Sequence, residues 1–185
     1  AKKYLDILLE PFRFRIVVAT STNQSDKKLV SFLKRNNIEY FCGSLDNVLY
    51  RLLKCALIYK EKYFIRINGD SPFIDKKIID KMVFFFKKKN NNFDLITNVY
   101  PRTFPKGQSV EIIRTQVLKK YLKNMNKIEK EHITQYFYIN SDIFLIKNFV
   151  NKKKIKLIKT AVDSKKDLVN ILRNIKKNEF ENYSI

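Results

Sequence analysis

The chain has 185 residues, 38 Lys+Arg against 18 Asp+Glu, a formal net charge of +20 and 45% apolar residues. That length and apolar fraction suit a single domain, over 1–185, with a real core, and they exclude a disordered chain despite the charge. No apolar stretch approaches the roughly 20 residues that span a bilayer, and no secretory-leader pattern is legible, so a cytoplasmic protein without membrane partners is expected. Cys42 and Cys55 are too few for a disulfide framework and lack metal-ligand spacing, while His132 as the only imidazole argues against zinc. The lysines are spread along the whole chain, which reads as diffuse, solvated charge. It would attract a phosphate-rich ligand, but no specific nucleic-acid face is expected, because Phe and Tyr sit mostly at core spacing.

In chain order, Arg15–Ser21 is a short β-branched run that predicts a strand buried on both faces. A polar loop, 22–25, leads to a helix with Leu29, Val30 and Leu33 on one face and Ser25 as its N-cap. Ile38–Cys42 predicts a second strand ending at Gly43, and Asp46–Tyr59 a helix with Val48, Leu49, Leu52, Leu53 and Ala56 at helical spacing. Tyr63–Asn68 is a third strand, closed by Gly69-Asp70-Ser71-Pro72. Lys76–Lys89 is a helix with Ile78, Ile79, Met82, Val83 and Phe86 inward, and Asp94–Asn98 a fourth strand. This alternation argues for α/β architecture with a mostly parallel sheet.

The second half changes character. Pro101–Gly107 is punctuated by two prolines and a glycine and is irregular. Ser109–Ile113 predicts a strand, Thr115–Asn124 and Glu129–Tyr138 helices, Ile143–Phe149 and Ile155–Val162 late strands, and 164–177 a last helix.

Two acidic residues follow the carboxyl ends of predicted strands and precede helices: Asp70 and Asp163. Ligands of open α/β sheets bind at such ends, and two converging carboxylates suit Mg²⁺. The alternative is plain helix capping, with Ser164-Lys165-Lys166-Asp167 as a variant capping box. With three glycines in the chain, Gly69 and Gly107 each answer a backbone need such as positive φ or a close approach, whereas Gly43 reads as a simple turn. Arg102 through Glu111 joins a guanidinium, a rigid loop and a carboxylate, a combination suited to capturing an acidic group. His132 has no partner pattern that would make a nucleophilic triad, and neither a GxGxxG nor a P-loop is present.

The segments Ile16–Ser21, Gly43–Arg51, Arg66–Asp75, Asn98–Gly107, Glu131–Thr134 and Ala161–Ser164, in this order, resemble the acylneuraminate cytidylyltransferase family, in particular its spore-coat polysaccharide biosynthesis branch. The similarity runs from about Arg15 to Leu172. The resemblance implies a three-layer nucleotidyltransferase fold, GT-A-like and Rossmann-like, with a mostly parallel mixed sheet. It implies transfer of CMP from CTP to an acidic keto-acid sugar, with Mg²⁺ as cofactor, in surface polysaccharide synthesis. Carried over, Asp70 and Asp163 are the catalytic, metal-holding residues. Ser44, Asp46, Asn68 and Gly69 lie on the nucleotide side, and Arg102, Gly107, Glu111 and His132 on the sugar side. A homodimer is the common state of such folds.

Family members open with a strand and a basic, Gly-containing loop that grips the triphosphate. Here Ala1–Phe12 reads as the helix that would follow that unit, so an N-terminally truncated domain is expected and activity of this chain stays open. The alternatives are a catalytically silent family member acting as a partner or scaffold, and a GT-A-like glycosyltransferase.

Overall fold

A computed structural model describes residues 14–88, 92–151 and 159–176. The expected helix over 1–12, and residues 155–158 of the expected late strand, lie outside them. The described chain forms two compact units. One runs to Phe64 and takes up Arg114–Asn140; the other comprises Ile65–Ile113 and the part from Ser141 onward.

In the first unit β1 (Val18–Ser21) and β2 (Tyr40–Gly43) pair in parallel, Val18 opposite Tyr40 and Ser21 opposite Gly43. Between them lie a 3₁₀ turn, Gln24–Asp26, and α1 (Lys27–Arg35). The turn is capped by Asn23, whose Oδ1 accepts the Ser25 N–H at 3.0 Å, so Asn23 does the work expected of Ser25. Of the expected apolar face of α1, Leu33 is buried and Leu29 stays exposed. Helix α2 (Val48–Ile58) buries Leu49, Leu53 and Ala56, as its spacing predicts, and packs on both strands. It also packs on α4 (Thr115–Tyr121) and α5 (Lys127–Glu131).

The predicted helix over 129–138 is two. Helix α5 opens on a reciprocal Asn126–Glu129 capping box and stops at His132 (φ −105°, ψ 69°), and α6 (Gln135–Ile139) begins afresh. Beyond the break, Ile133 and Phe137 are fully buried.

The second unit holds a four-stranded sheet in the order β3-β5-β4-β6. Its strands are β3 (Tyr63–Arg66), β4 (Leu95–Thr97), β5 (Glu111–Arg114) and β6 (Ile146–Asn148). The first residues of β3 and the last of β5 belong to the other unit. Strand β4 is antiparallel to β5, with Ile96 opposite Ile112, and parallel to β6, with Leu95 opposite Ile146. The protein is thus α/β with mixed pairing, and its described strands form two sheets. Helix α3 (Lys76–Lys88) buries Ile78, Ile79, Met82 and Val83. The last helix among the described residues is α7 (Lys165–Lys176). Residues 159–162 just before it form no strand. No helix among the described residues is long and apolar enough to cross a membrane.

One carboxylate organises the loop after β1. Asp26 Oδ2 accepts from Thr20 Oγ1 at 2.7 Å, Ser21 N at 2.9 Å and Ser21 Oγ at 2.7 Å. These donors, the Ser21 hydroxyl foremost, hold its pKa far below the usual 3.8. A folded pKa below the unfolded one adds stability that is fully present above the unfolded value and is lost as pH falls through the folded one. Asp26→Asn is therefore expected to melt several degrees lower than wild type at pH 7, by the usual scaling for a domain of this size. Thermal melts from pH 7 down to 2 should show that gap shrinking below pH 4; a gap independent of pH would contradict the assignment.

Candidate functional site

The candidate residues divide between the units, and each set is described by itself. Ser44, Asp46 and His132 lie in the first; Asn68, Gly69, Asp70, Arg102, Gly107, Glu111 and Asp163 lie in the second.

In the second unit a turn carries Asn68 to Asp70 beyond β3, with the Ser71 N–H donating to the Asn68 carbonyl at 3.2 Å. Asp70 is linked to the far segment by its own backbone: the Val162 N–H donates to the Asp70 carbonyl at 2.8 Å. Asp163, 93 positions beyond Asp70 in sequence, thus directly follows the residue bonded to the Asp70 backbone.

Neither carboxylate caps a helix. At the start of α7 that task falls to Ser164 and Asp167. The Asp167 N–H donates to Ser164 Oγ at 3.2 Å, and Asp167 Oδ2 accepts from the Asp163 N–H at 3.1 Å. At α3 it falls to Asp75, whose Oδ1 accepts the Lys77 N–H at 2.8 Å. Asp70 Oδ1 accepts from Ser71 Oγ at 2.8 Å, and Oδ2 has no hydrogen bond from any described residue. Asp163 Oδ2 is 2.7 Å from Lys159 Nζ, and that ammonium also lies 3.0 Å from Asp167 Oδ2. The two carboxylates raise the pKa of Lys159, Asp163 first, and the lysine in turn lowers that of Asp167.

A divalent cation fits this donor set in one way. Among the described residues no cluster of three or more His, Cys, Asp or Glu side chains could enclose a metal. Two carboxylates with oxygens to spare suit an ion such as Mg²⁺, which takes one or two carboxylates and completes its shell with water and substrate phosphates.

What fixes the two segments together is a buried polar clamp that the sequence reading overlooked. Gly107 sits at φ +95°, and a Cβ there would lie 2.5 Å from the Ala161 nitrogen and 2.5 Å from Thr160 Oγ1. The glycine thus serves both positive φ and a close approach, and what approaches is the chain itself. The Thr160 N–H donates to the Lys106 carbonyl at 2.7 Å. Gln108 reaches three ways: Oε1 accepts the Asp75 N–H at 2.7 Å, and Nε2 donates to the Phe73 carbonyl at 2.7 Å and to Thr160 Oγ1 at 3.3 Å. Fully buried Asn98 donates to the Gln108 carbonyl at 2.7 Å and accepts from the Val110 N–H at 2.9 Å. Single amides on either side of the irregular 101–107 segment, Asn98 before it and Gln108 directly after, were the available signal.

The remaining candidates are less concentrated. Gly69 is exposed, and a Cβ on it would meet nothing within 4 Å. Arg102 is exposed and donates to Ser109 Oγ at 3.1 Å. Glu111 is buried with an ion-pair partner, Arg66, at 2.6 Å. In the first unit, Ser44 Oγ accepts the Asn47 N–H at 3.1 Å, and Asp46 is exposed beside it. His132 is exposed at the end of α5.

Comparison with known proteins decides the family. A family model described as cytidylyltransferase matches residues 5–184. The chain belongs to the cytidylyltransferase family. It is 32% identical over 148 residues to an uncharacterized protein of Methanocaldococcus jannaschii, covering 77% of this chain and 59% of that one. It is 24% identical over 164 residues to the spore coat polysaccharide biosynthesis protein SpsF of Bacillus subtilis, covering 86% and 66%. The chain thus spans about three-fifths to two-thirds of the length of these relatives.

A cytidylyltransferase structure from Leptospira borgpetersenii superposes with a TM-score of 0.84 at 28% identity, covering 98% of this chain and 85% of that one. A CMP:2-keto-3-deoxy-manno-octonic acid synthetase complexed with CTP gives 0.65 at 11% identity, covering 96% and 88%. The 4-diphosphocytidyl-2C-methyl-D-erythritol synthase of Anaerococcus prevotii gives 0.61 at 12%, covering 94% and 84%. These last two bear on the fold alone: it is the Rossmann-like α/β fold of the nucleotidyltransferases.

The clamp makes a direct prediction. Gln108→Leu strips the half-buried Asp75 N–H of its acceptor and Gly107→Ala forces a Cβ into backbone. Each should cost about 2–4 kcal/mol of unfolding free energy in urea titration. A loss below about 0.5 kcal/mol, the range of ordinary surface changes, would show that the clamp does not hold the two segments.

Proposed function

We propose that this cytidylyltransferase-family chain transfers CMP from CTP to an acidic, keto-acid sugar in surface polysaccharide synthesis, with Mg²⁺ held by Asp70 and Asp163. The observation that carries the reading is the Val162 N–H to Asp70 carbonyl bond, which ties together the backbones of the two segments that carry these carboxylates, both free of capping duty, in a chain of this family. Asp70 and Asp163 would bind the ion by oxygens not engaged with Ser71 and Lys159. The bound ion supplies neutralisation of the charge that develops on the departing pyrophosphate.

The chain's own work is positioning, the main requirement of phosphoryl-type transfer. Ser44 and Asp46, and separately Asn68 and Gly69, are proposed as nucleotide-binding residues. Open space over Gly69 leaves a ligand room to approach that backbone. Arg102, exposed and planar, is suited to a carboxylate, the group that distinguishes an acidic sugar. Gly107 and Glu111 are proposed to act on the sugar side through the shape of the 102–111 segment, since the glycine is packed on Thr160 and the glutamate on Arg66. His132 is retained as a sugar-side contact.

Incubating the chain with CTP, Mg²⁺ and a panel of keto-acid sugars should release pyrophosphate and form a CMP-sugar, followed by phosphorus NMR. Asp70→Asn and Asp163→Asn should each cut the rate by about a hundredfold or more, the usual scale for removing a group that stabilises transition-state charge. A rate indifferent to Asp163→Asn would refute the assignment. Turnover of a nucleotide-sugar without pyrophosphate would favour a glycosyltransferase instead.

A further inference from the structure

The loop after β2 contains an arrangement that none of the roles above uses. Arg51, one turn into α2, folds back over the end of β2, and its Nη1 donates to the Ser44 carbonyl at 2.6 Å, with the Leu45 carbonyl farther off at 3.5 Å. Gly43 makes room for it: a Cβ there would lie 2.8 Å from Arg51 Cγ. The guanidinium is half-buried, its Nε is buried without a hydrogen-bond partner among the described residues, and burial lowers its pKa. Such a costly position asks for a reason.

Peptide planarity supplies one. With the Ser44 carbonyl turned toward Arg51, the Leu45 N–H on the same trans peptide points the opposite way. The Leu45 carbonyl also faces Arg51 Nη1, at 3.5 Å, so the Asp46 N–H on that trans peptide points away as well. Neither N–H has a partner among the described residues, whereas the Asn47 N–H is taken by Ser44 Oγ. Two donors are left pointing away from Arg51 at the carboxyl end of a parallel strand, where acceptor-rich ligands bind.

We infer that Arg51 is a positioning residue: it turns the Ser44–Asp46 peptides so that the Leu45 and Asp46 N–H groups meet acceptor atoms of the nucleotide, and Gly43 is its seat. The inference rests on the proposed use of CTP and adds the residue that shapes the nucleotide loop. The pair of N–H donors fits the oxygens of a base or a phosphate. Titrations with cytidine and with pyrophosphate separately tell these two sources apart.

The test is amide NMR of the full chain, wild type against Arg51→Met and Arg51→Lys, titrated with CTP, cytidine and pyrophosphate. In wild type, the Leu45 and Asp46 amides should shift on binding. Arg51→Met should weaken CTP binding by about tenfold or more, as loss of one or two hydrogen bonds implies. It should also abolish those two shifts, and Arg51→Lys should restore them in part. Should Arg51→Met fail to fold, Gly43→Ala, which pushes the side chain off its seat, is expected to act the same way.

CTP binding unchanged in Arg51→Met, or wild-type binding that leaves both amides unmoved, overturns the inference while leaving the cytidylyltransferase reading intact. If wild type binds no CTP, the nucleotide reading falls and takes this role for Arg51 with it.

Discussion

The candidate site depends on a close approach of backbone to backbone. At Gly107 the chain passes so near Thr160 and Ala161 that no side chain fits between them. One hydrogen bond on either side fastens the segments of that contact: Thr160 to Lys106 at 2.7 Å and Val162 to Asp70 at 2.8 Å. Backbone contacts of this kind leave little freedom. The residues immediately following them, Asp163 on one segment and Ser71 after Asp70 on the other, inherit fixed positions from the main chain rather than from flexible side-chain packing.

The amides of Asn98 and Gln108 extend the constraint. Each is buried and each bonds main-chain groups, so the polar cost of burying them is offset by satisfied partners. They join the end of β4, the loop before α3 and the segment before α7, which are far apart in sequence. A network of this kind specifies one arrangement, because a partly satisfied version of it would be costly. The same logic on a smaller scale operates in the other unit, where Asp26 gathers the donors of the β1 loop and Arg51 the carbonyl of the β2 loop.

Much of this was legible in the residues. The β-branched run of β1 and the helical spacing in α2 and α3 are local signals, and Leu49, Leu53, Ile78, Ile79, Met82 and Val83 are buried as their spacing predicts. The break at His132 was not legible, because Glu129–Tyr138 is continuous in pattern and nothing in it marks the non-helical φ/ψ of His132. Leu29 follows the helical pattern yet has no core to meet. For the site, Asp70 and Asp163 stand out by their place after apolar runs and, for Asp70, by a neighbouring glycine in a glycine-poor chain. Gln108 and Thr160 could not be paired from sequence: their bond joins residues 52 positions apart. A capping box at Ser164 was visible, but whether it employed Asp163 or spared it required the hydrogen bonds to Asp167.

The central claim is that Asp70 and Asp163 share one divalent cation. Trace Mn²⁺ added with CTP to the isotope-labelled chain tests it by paramagnetic broadening of amide signals. The account predicts that Gly69, Asp70, Val162 and Asp163 broaden together, and that Asp163→Asn abolishes broadening at Gly69 and Asp70 as well as at its own position. Broadening confined to one of the two segments, or persisting at Asp70 after the change at Asp163, would contradict it.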